Sequence, residues 1–597
     1  MNGISDASHE LARLKSYFAE AQSMSQEWRQ RSLVAIDYYD SDQFTREELH
    51  ALNARGQPAI TVNRIKPAIN SIIGVTERGR SDPRAWPRNP VDGFAADTAT
   101  DVLRYIADFN RFKRLKQDCF RDLLVPGSCA ALVGVDQDSQ VTITQVRWEE
   151  FFHDPRSRRQ DFRDARFLGV AKWMYADDAE ALYPENAAQI AATLESASSG
   201  GLNADPSYQD RPFHGALASA WIDAKQRRLM VVEMYLKSGG EWRRCVFTGS
   251  DLLEDGASPY LDDRGRPTCP IEAMSAYVKR DNARYGAVWD MIGPQDEINK
   301  RRSKSVHLLS TTRIEVRDQQ AIDVDADVAR REASRPDGVI PFGWGLAPNT
   351  VEFQGNMEML QEAKSEIERM GPSPAMLGRS NDDSSGRALL ARQQSGLTEL
   401  GVLYGALEDW ELRIYRQCWA RAKQFWRAPQ FIRVVDDENA PKFVGLNQPI
   451  THPTTGAVLG YANRIGEMDV DIEVDVQPDT GTIQQEAFIE LLQLVGSSPI
   501  YQQQAPLSTL IQLSPIPHKR AVLDAIKQAS DFQSDAARQL QQVAQAAGEA
   551  KIAELSARTR LHGANGFTKT IDSLNHAHEV HADGVARGFE AGVASAD

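Results

Sequence analysis

Four side chains near the end of the chain, His576, His578, Glu579 and His581, have the types and spacing to hold a divalent metal, with imidazole nitrogens and a carboxylate one to three positions apart. A helical surface of mixed polarity gives the same pattern, and a solvated face is the preferred reading. His153-Asp154, within WEEFFHDPRSR (Trp148 to Arg158), offers an acid–base pair. Asp-Pro is also a turn dipeptide, and the neighbouring aromatics suit the edge of a core, so a structural role is expected. The basic run Lys300, Arg301, Arg302 and Lys304 would touch phosphate, or would find ion-pair partners in Glu362, Glu366 and Glu368 within or between subunits. Both readings of that run stay open.

Familiar enzyme signatures are missing. There is no G-x-x-x-x-G-K-[ST], nor any Gly-Lys dipeptide, which argues against a P-loop ATPase. G-x-G-x-x-G, H-E-x-x-H and G-x-S-x-G do not occur either. No catalytic residue, cofactor or metal is expected. Cys119, Cys129, Cys245, Cys269 and Cys418 are odd in number, widely spaced and never C-x-x-C, so they read as buried free thiols. The formal net charge of −15 repels a polyphosphate overall, unlike a tight nonspecific DNA binder.

The elements that must position these residues follow from length and pattern. At 597 residues the chain suggests two to four packed modules, and 42% hydrophobic with 25% charged residues is the balance of a folded protein. No run of about 18 apolar residues occurs, and MNGISDASHELARLK carries charges where a signal peptide needs apolar residues, so a soluble cytosolic product is expected. Leu11, Leu14, Phe18, Trp28, Leu33 and Ile36 recur at helical spacing. Gly56 and Pro58 interrupt before Ile65, Ile69, Ile72 and Ile73 open another helix. ALVGV and VTITQV flank Asp136 to Ser139 as a hairpin, and LMVVEMYL and EWRRCVF form a second across Lys237 to Gly240. A mixed module between about residues 130 and 275 results.

Tyr285 to Leu309 reads as a helix, and its charge order favours a start at Pro294, with Asp296 and Glu297 early and the cations late. TTRIEV (Thr311 to Val316) is a short strand, and Met357 to Met370 a returning helix before Gly371-Pro372-Ser373-Pro374. From Arg387 to Arg427 no proline occurs, so a long helix is expected, spanning roughly 60 Å if unbroken, with Gly396, Gly401 and Gly405 weakening it enough to permit a bend. In MDVDIEVDVQ (Met468 to Gln477) Val470, Ile472, Val474 and Val476 alternate with Asp469, Asp471, Glu473 and Asp475. That is the clearest strand, and its acidic side reads as a solvated, edge-protecting face. Beyond Pro517 the sequence is Ala-rich and Gln-rich and helical in type. The fold class expected is α+β, mainly helical.

Four segments in series, RGQPAITVNRIKPAINSIIG, WEEFFHDPRSRRQDFRDARF, DNARYGAVWDMIGPQDEINKRRS and GRSNDDSSGRALLARQQSG, resemble the portal proteins of short-tailed (podovirus-type) bacteriophages. The resemblance spans most of residues 28 to 430. It implies a non-enzymatic twelve-subunit ring at one capsid vertex through which double-stranded DNA passes without sequence specificity. Partners implied are terminase, the major capsid or scaffolding protein, and head–tail adaptors, in the virion and in the host cytoplasm during assembly. The implied map is residues 1–276 for the first part of the wing or body, 277–310 a stem helix, 311–350 the clip, and 351–370 the second stem helix. It continues with 371–383 as a channel loop (Gly371, Pro372, Ser373, Pro374), 384–500 a long wing helix and the rest of the body, and 501–597 a helical crown or short C-terminal barrel. By that map Lys300, Arg301, Arg302 and Lys304 face DNA or a neighbouring stem. Another phage assembly protein, such as a scaffold or tail component, is the alternative, and a metal-dependent nucleic-acid enzyme the third reading.

Overall fold

A stripe of buried residues, Leu14, Phe18, Ala21, Ser25, Trp28, Ser32 and Ala35, recurs every three or four positions. It makes one face of a 39-residue helix, α1 (Asn2–Asp40). The computed structural model describes residues 2–88, 93–199, 221–223, 226–310, 313–335, 337–347, 350–371, 400–435, 441–452 and 458–478. Apart from residue 435, all of these belong to one unit, residues 1–434 and 441–478. The second unit, residues 435–440 and 479–597, lies otherwise outside the described residues, and with it the expected crown and the His576 to His581 cluster.

After α1 the chain forms α2 (Arg46–Ala54), an extended stretch, and α3 (Ile65–Arg78), whose Ile65, Ile69 and Ile72 are fully buried. Then come β1 (Gly79–Pro87), α4 (Gly93–Phe109) and α5 (Phe112–Leu124). The first expected hairpin is β2 (Ser128–Val135) with β3 (Val141–Val146), turned by Asp136, whose carboxylate accepts the Asp138 and Gln140 N–H groups at 3.0 and 2.7 Å. Next follow β4 (Phe151–His153), β5 (Phe167–Tyr175), α6 (Ala176–Leu182), α7 (Ala187–Ser199) and β6 (Ile222–Asp223). The second hairpin is β7 (Arg228–Ser238) with β8 (Glu241–Phe247), followed by β9 (Leu252–Ala257). Gly239 and Gly240 close it at φ 62° and 94°, two positive angles that favour glycine.

Strands β4, β5, β7, β8 and β9 form one antiparallel sheet, with β6 added on β7. One face packs Phe152, Phe167, Met230, Val232 and Met234 on Leu14 and Phe18 of α1. The other packs Phe151, Leu168, Val170 and Tyr235 on Ala130 and Ile271 of the three-stranded sheet β10-β2-β3, where β10 is Ile271–Ser275. Alternation thus buries both faces of the larger sheet.

The chain goes on through β11 (Tyr277–Val278), β12 (Arg284–Tyr285), α8 (Val288–Ser310), β13 (Arg313–Val316), α9 (Ala326–Ala333), β14 (Trp344–Ala347) and α10 (Thr350–Met370). Helix α11 (Gly401–Phe425) then buries Trp410, Ile414, Cys418 and Trp419 in the largest core, against α3, α4, α5 and β2. It runs unbroken through Gly405, and residues 387–399, where the long helix was expected to begin, lie outside the described residues. The remainder is β15 (Gln430–Val435) paired with β16 (Pro441–Leu446), β17 (Gln448–Thr451) paired with β18 (Val458–Ala462), and β19 (Val470–Pro478).

Strand β19 is the one read from MDVDIEVDVQ, with Val470 and Ile472 buried and Asp471 and Glu473 exposed. It pairs with β1 in a two-stranded ribbon, in which Pro83 and Pro87 are tolerated because no third strand needs their N–H groups. Arg88 bridges Asp469 and Asp471 at 2.6 Å each, so the acidic face is partly neutralised.

All five cysteines are buried free thiols, as their spacing suggested. His153 is a core histidine: burial pulls its pKa down to about 3, and it stacks beside Trp28 while Nδ1 lies 2.9 Å from the Asp154 carbonyl oxygen. Asp154 caps a turn, accepting the N–H groups of Arg156 and Arg166.

Asp122, at the end of α5, is pushed up to about 7 by burial, against the pull of Arg121 and of the Gln145 amide that donates to it at 2.7 Å. A carboxyl raised above its ordinary value contributes stability that is complete near pH 4 and lost as the pH rises through about 7. Asp122→Asn is therefore expected to stabilise the body by about 1 kcal/mol at pH 8 and to change little at pH 4. Urea unfolding at the two pH values checks this, and equal shifts at both would refute it.

Candidate functional site

Helices α8 and α10 run from the body to a small insert and back, as the helix, β-containing insert, helix pattern anticipated. The buried apolar part of their contact is small: Ile298 meets Leu360, Ala363 and Ile367, with Val62, Ala68 and Met357 at the margin. Above it, Asn356 donates to the Arg301 carbonyl oxygen at 2.9 Å and to Ser305 Oγ at 2.6 Å. Helix α8 starts at Val288, six residues before the expected Pro294, which lies inside the helix. Val288 and Met291 are buried in the body core and anchor that extra length. Pro294 removes only the N–H that would reach the Asp290 carbonyl, a loss confined to the first two turns.

The insert pairs β13 with β14 and packs α9 beside them. Among its described residues Ala329 is the single buried hydrophobic side chain, whereas Val316, Val339, Phe342 and Leu346 are exposed.

Although clustered within five positions, the basic residues do not form one surface. At about 100° per residue, Arg302 and Lys304 point to nearly opposite sides of α8, while Lys300 and Lys304 share a side. Lys300, Arg301 and Lys304 line an open groove of about 440 Å³ together with Asp296, Glu297 and Asn356. Lys300 pairs with Glu48 at 3.2 Å and Asp296 at 3.3 Å, and Arg301 with Glu297 at 2.5 Å. Burial lowers the Lys300 pKa, but the two carboxylates outweigh it and the net shift is upward. The partners anticipated on the returning helix, Glu362, Glu366 and Glu368, are not the ones used by Lys300 and Arg301. Helix α10 turns its apolar side to α8 and leaves those glutamates exposed, so the cations pair one turn back on their own helix. Arg302 and Lys304 are exposed, with no ion pair among the described residues. Gly371 ends α10 and is buried, whereas Pro372, Ser373 and Pro374 lie outside the described residues.

Sequence reading missed two features. Gln295, Asn299 and Ser303, buried at successive i, i+4 positions of α8, hold the extended stretch before α3 by its main chain. Three polar residues at that spacing in an otherwise amphipathic helix were the available signal. The second is the root of α8, where Gly127 and Gly286 bring two backbones together, and Arg284 stacks its guanidinium 4.5 Å over Phe162 while donating to the Ser157 and Arg159 carbonyls.

Among the described residues no three His, Cys, Asp or Glu side chains gather as a metal site, and no helix is long and apolar enough to cross a membrane. Against known proteins, the family model for phage P22-like portal proteins matches residues 15–562. The chain belongs to that family. A portal protein of Helicobacter pylori bacteriophage KHP30 is 21% identical over 580 residues, covering 91% of this chain and 88% of that protein. Membership in the P22-like portal family gives the function: a structural component of a phage virion, at the capsid vertex used in genome packaging.

Proposed function

We propose that the chain assembles as a twelve-subunit ring whose stem is α8 and α10, and that double-stranded DNA passes through its centre. In this reading residues 1–276 and 384–500 form the wing and body, 277–310 and 351–370 the stem, 311–350 the clip, 371–383 a loop toward the channel, and 501–597 a crown or short barrel. The clip docks terminase during packaging and tail adaptors afterwards, and the rim meets the capsid or scaffolding protein. ATP is hydrolysed by terminase, and this chain supplies the hole and the platform.

The observation that carries the ring is the insert. A two-stranded sheet with one small helix is marginal alone, and this one leaves Val316, Val339, Phe342 and Leu346 in solvent. Copies arranged about an axis would cover such an arm. The net charge of −15 favours weak contact with DNA, as sliding requires. Native mass spectrometry with negative-stain microscopy tests the proposal: closed rings with a hole wide enough for a duplex are expected, and a defined dimer or a filament would overturn it.

The stem cations give a second expectation. Reversing Arg301, Arg302 and Lys304 together should lower packaged DNA at least tenfold or prevent ring closure. Because Arg302 and Lys304 face opposite sides, R302E and K304E made singly should separate the two effects. Normal rings that package normally would remove these residues from both roles.

A further inference from the structure

The 24 residues between α1 and α3 are held to the body in an unusual way. Of residues 41–64 only Gln43 is buried, and α2 buries none of its side chains. Asn63 Nδ2 and Gln43 Nε2 tie it to the Tyr38 and Tyr39 carbonyl oxygens at the end of α1, and what holds it to the stem helix is a row of hydrogen bonds to one side of α8. The N–H groups of Ile60, Val62 and Arg64 donate to Ser303 Oγ, Asn299 Oδ1 and Gln295 Oε1 at 3.0, 3.0 and 2.9 Å. Gln295 Nε2 returns a bond to the Val62 carbonyl oxygen at 2.9 Å, and Asn299 Nδ2 donates to Gln43 Oε1 at 2.6 Å. Lys300 adds its ion pair with Glu48, and Tyr38 Oη donates to Asp296 just before the segment begins.

The periodicities match. Alternate residues of an extended chain advance by about 6.6 Å, and residues four apart on a helix by about 6 Å, so N–H groups 60, 62 and 64 fall opposite Ser303, Asn299 and Gln295 in antiparallel order. Asn299 sits in the middle, bonded to Val62, Gln295 and Gln43 at once, so losing it removes three bonds from the centre of the row and leaves those of Ile60 and Arg64 at its ends. Water replaces such bonds at little net cost, whereas displacing a buried apolar face costs far more. The apolar share here is slight, with Val62 half-buried beside Ile298 and Leu360.

We infer that residues 41–64 are a latch on α8 that opens as one unit while the body stays folded. Its use rests on the portal reading: α8 is the stem, the latch ties it to the N-terminal helix, and opening frees the stem helix to change its angle to the body.

Hydrogen exchange of the full chain, resolved by residue, tests the latch whatever the oligomeric state, so a failure to form rings leaves this result standing. The Ile60, Val62 and Arg64 amides are expected to show a common opening equilibrium, with protection at least 100-fold below that of the Val170 and Val232 amides in the central sheet. In Asn299→Ala all three should exchange at least tenfold faster with the sheet unchanged. Should that variant fold poorly, Ser303→Ala at the end of the row should also accelerate all three. Acceleration confined to the amide that loses its acceptor, or protection of the three equal to that of the sheet, would overturn the latch.

Discussion

Gly127→Ala is expected to destabilise the body by about 4 kcal/mol, the upper range for a single substitution. Gly127 has φ 99°, a region an alanine enters only with strain, and an added Cβ would lie 2.3 Å from the Tyr285 carbonyl carbon and 2.5 Å from the Gly286 nitrogen. Those are backbone atoms, which have no rotamer to retreat into. Gly286 approaches from the other side, with the site of its missing Cβ 2.3 Å from the Leu124 carbonyl oxygen. Gly127 also accepts the Ala276 N–H at 3.0 Å, so movement would disturb three segments at the root of α8. Equilibrium unfolding in urea measures the loss, and a cost under 1 kcal/mol would show that the two backbones separate freely.

Arg421→Ala is expected to cost about 3 kcal/mol. The guanidinium is fully buried without a carboxylate partner in its hydrogen bonds, and burial lowers its pKa to about 10, so it stays charged at pH 7. It donates to the carbonyl oxygens of Val133 and Leu261 at 3.3 and 2.9 Å and to Gln417 Oε1 at 2.5 Å, and it stacks 4.6 Å over Tyr260. One side chain thereby joins β2, the loop after β9 and α11. Arg421→Lys should recover less than half of the loss, because a point ammonium cannot span three acceptors in a plane. Full rescue by lysine, read from the same urea midpoints, would mean that charge alone matters.

Elements with a strong local period were legible in the sequence. The hairpins at 128–146 and 228–247, the isoleucine face of α3 and the alternation of β19 all show it, because local sequence sets both their conformation and their buried side. The partner of β19 was not legible. GRSDPRAWP contains two prolines and no alternation, and it is a strand only because β19 lies beside it. The start of α8 was misread for a similar reason, since Pro294 is a local signal and the burial of Val288 and Met291 a tertiary one. At the site, composition revealed the cations. Their division between two sides of α8 follows from helical geometry, and the pairing of Lys300 with Glu48 needed the folded chain.

The β1–β19 ribbon also sets a schedule. Ala85 and Ile472, both buried, face each other across about 390 residues of chain. At roughly 5–20 residues per second, β1 and the helices packed on it wait tens of seconds on the ribosome for the strand that completes them. Until then the long-range pairing is unmade and its closure entropy unpaid, so the last step of body folding comes late and is slow. A subunit with this connectivity cannot present a finished body while its arm is still being synthesised, which orders folding before assembly in time.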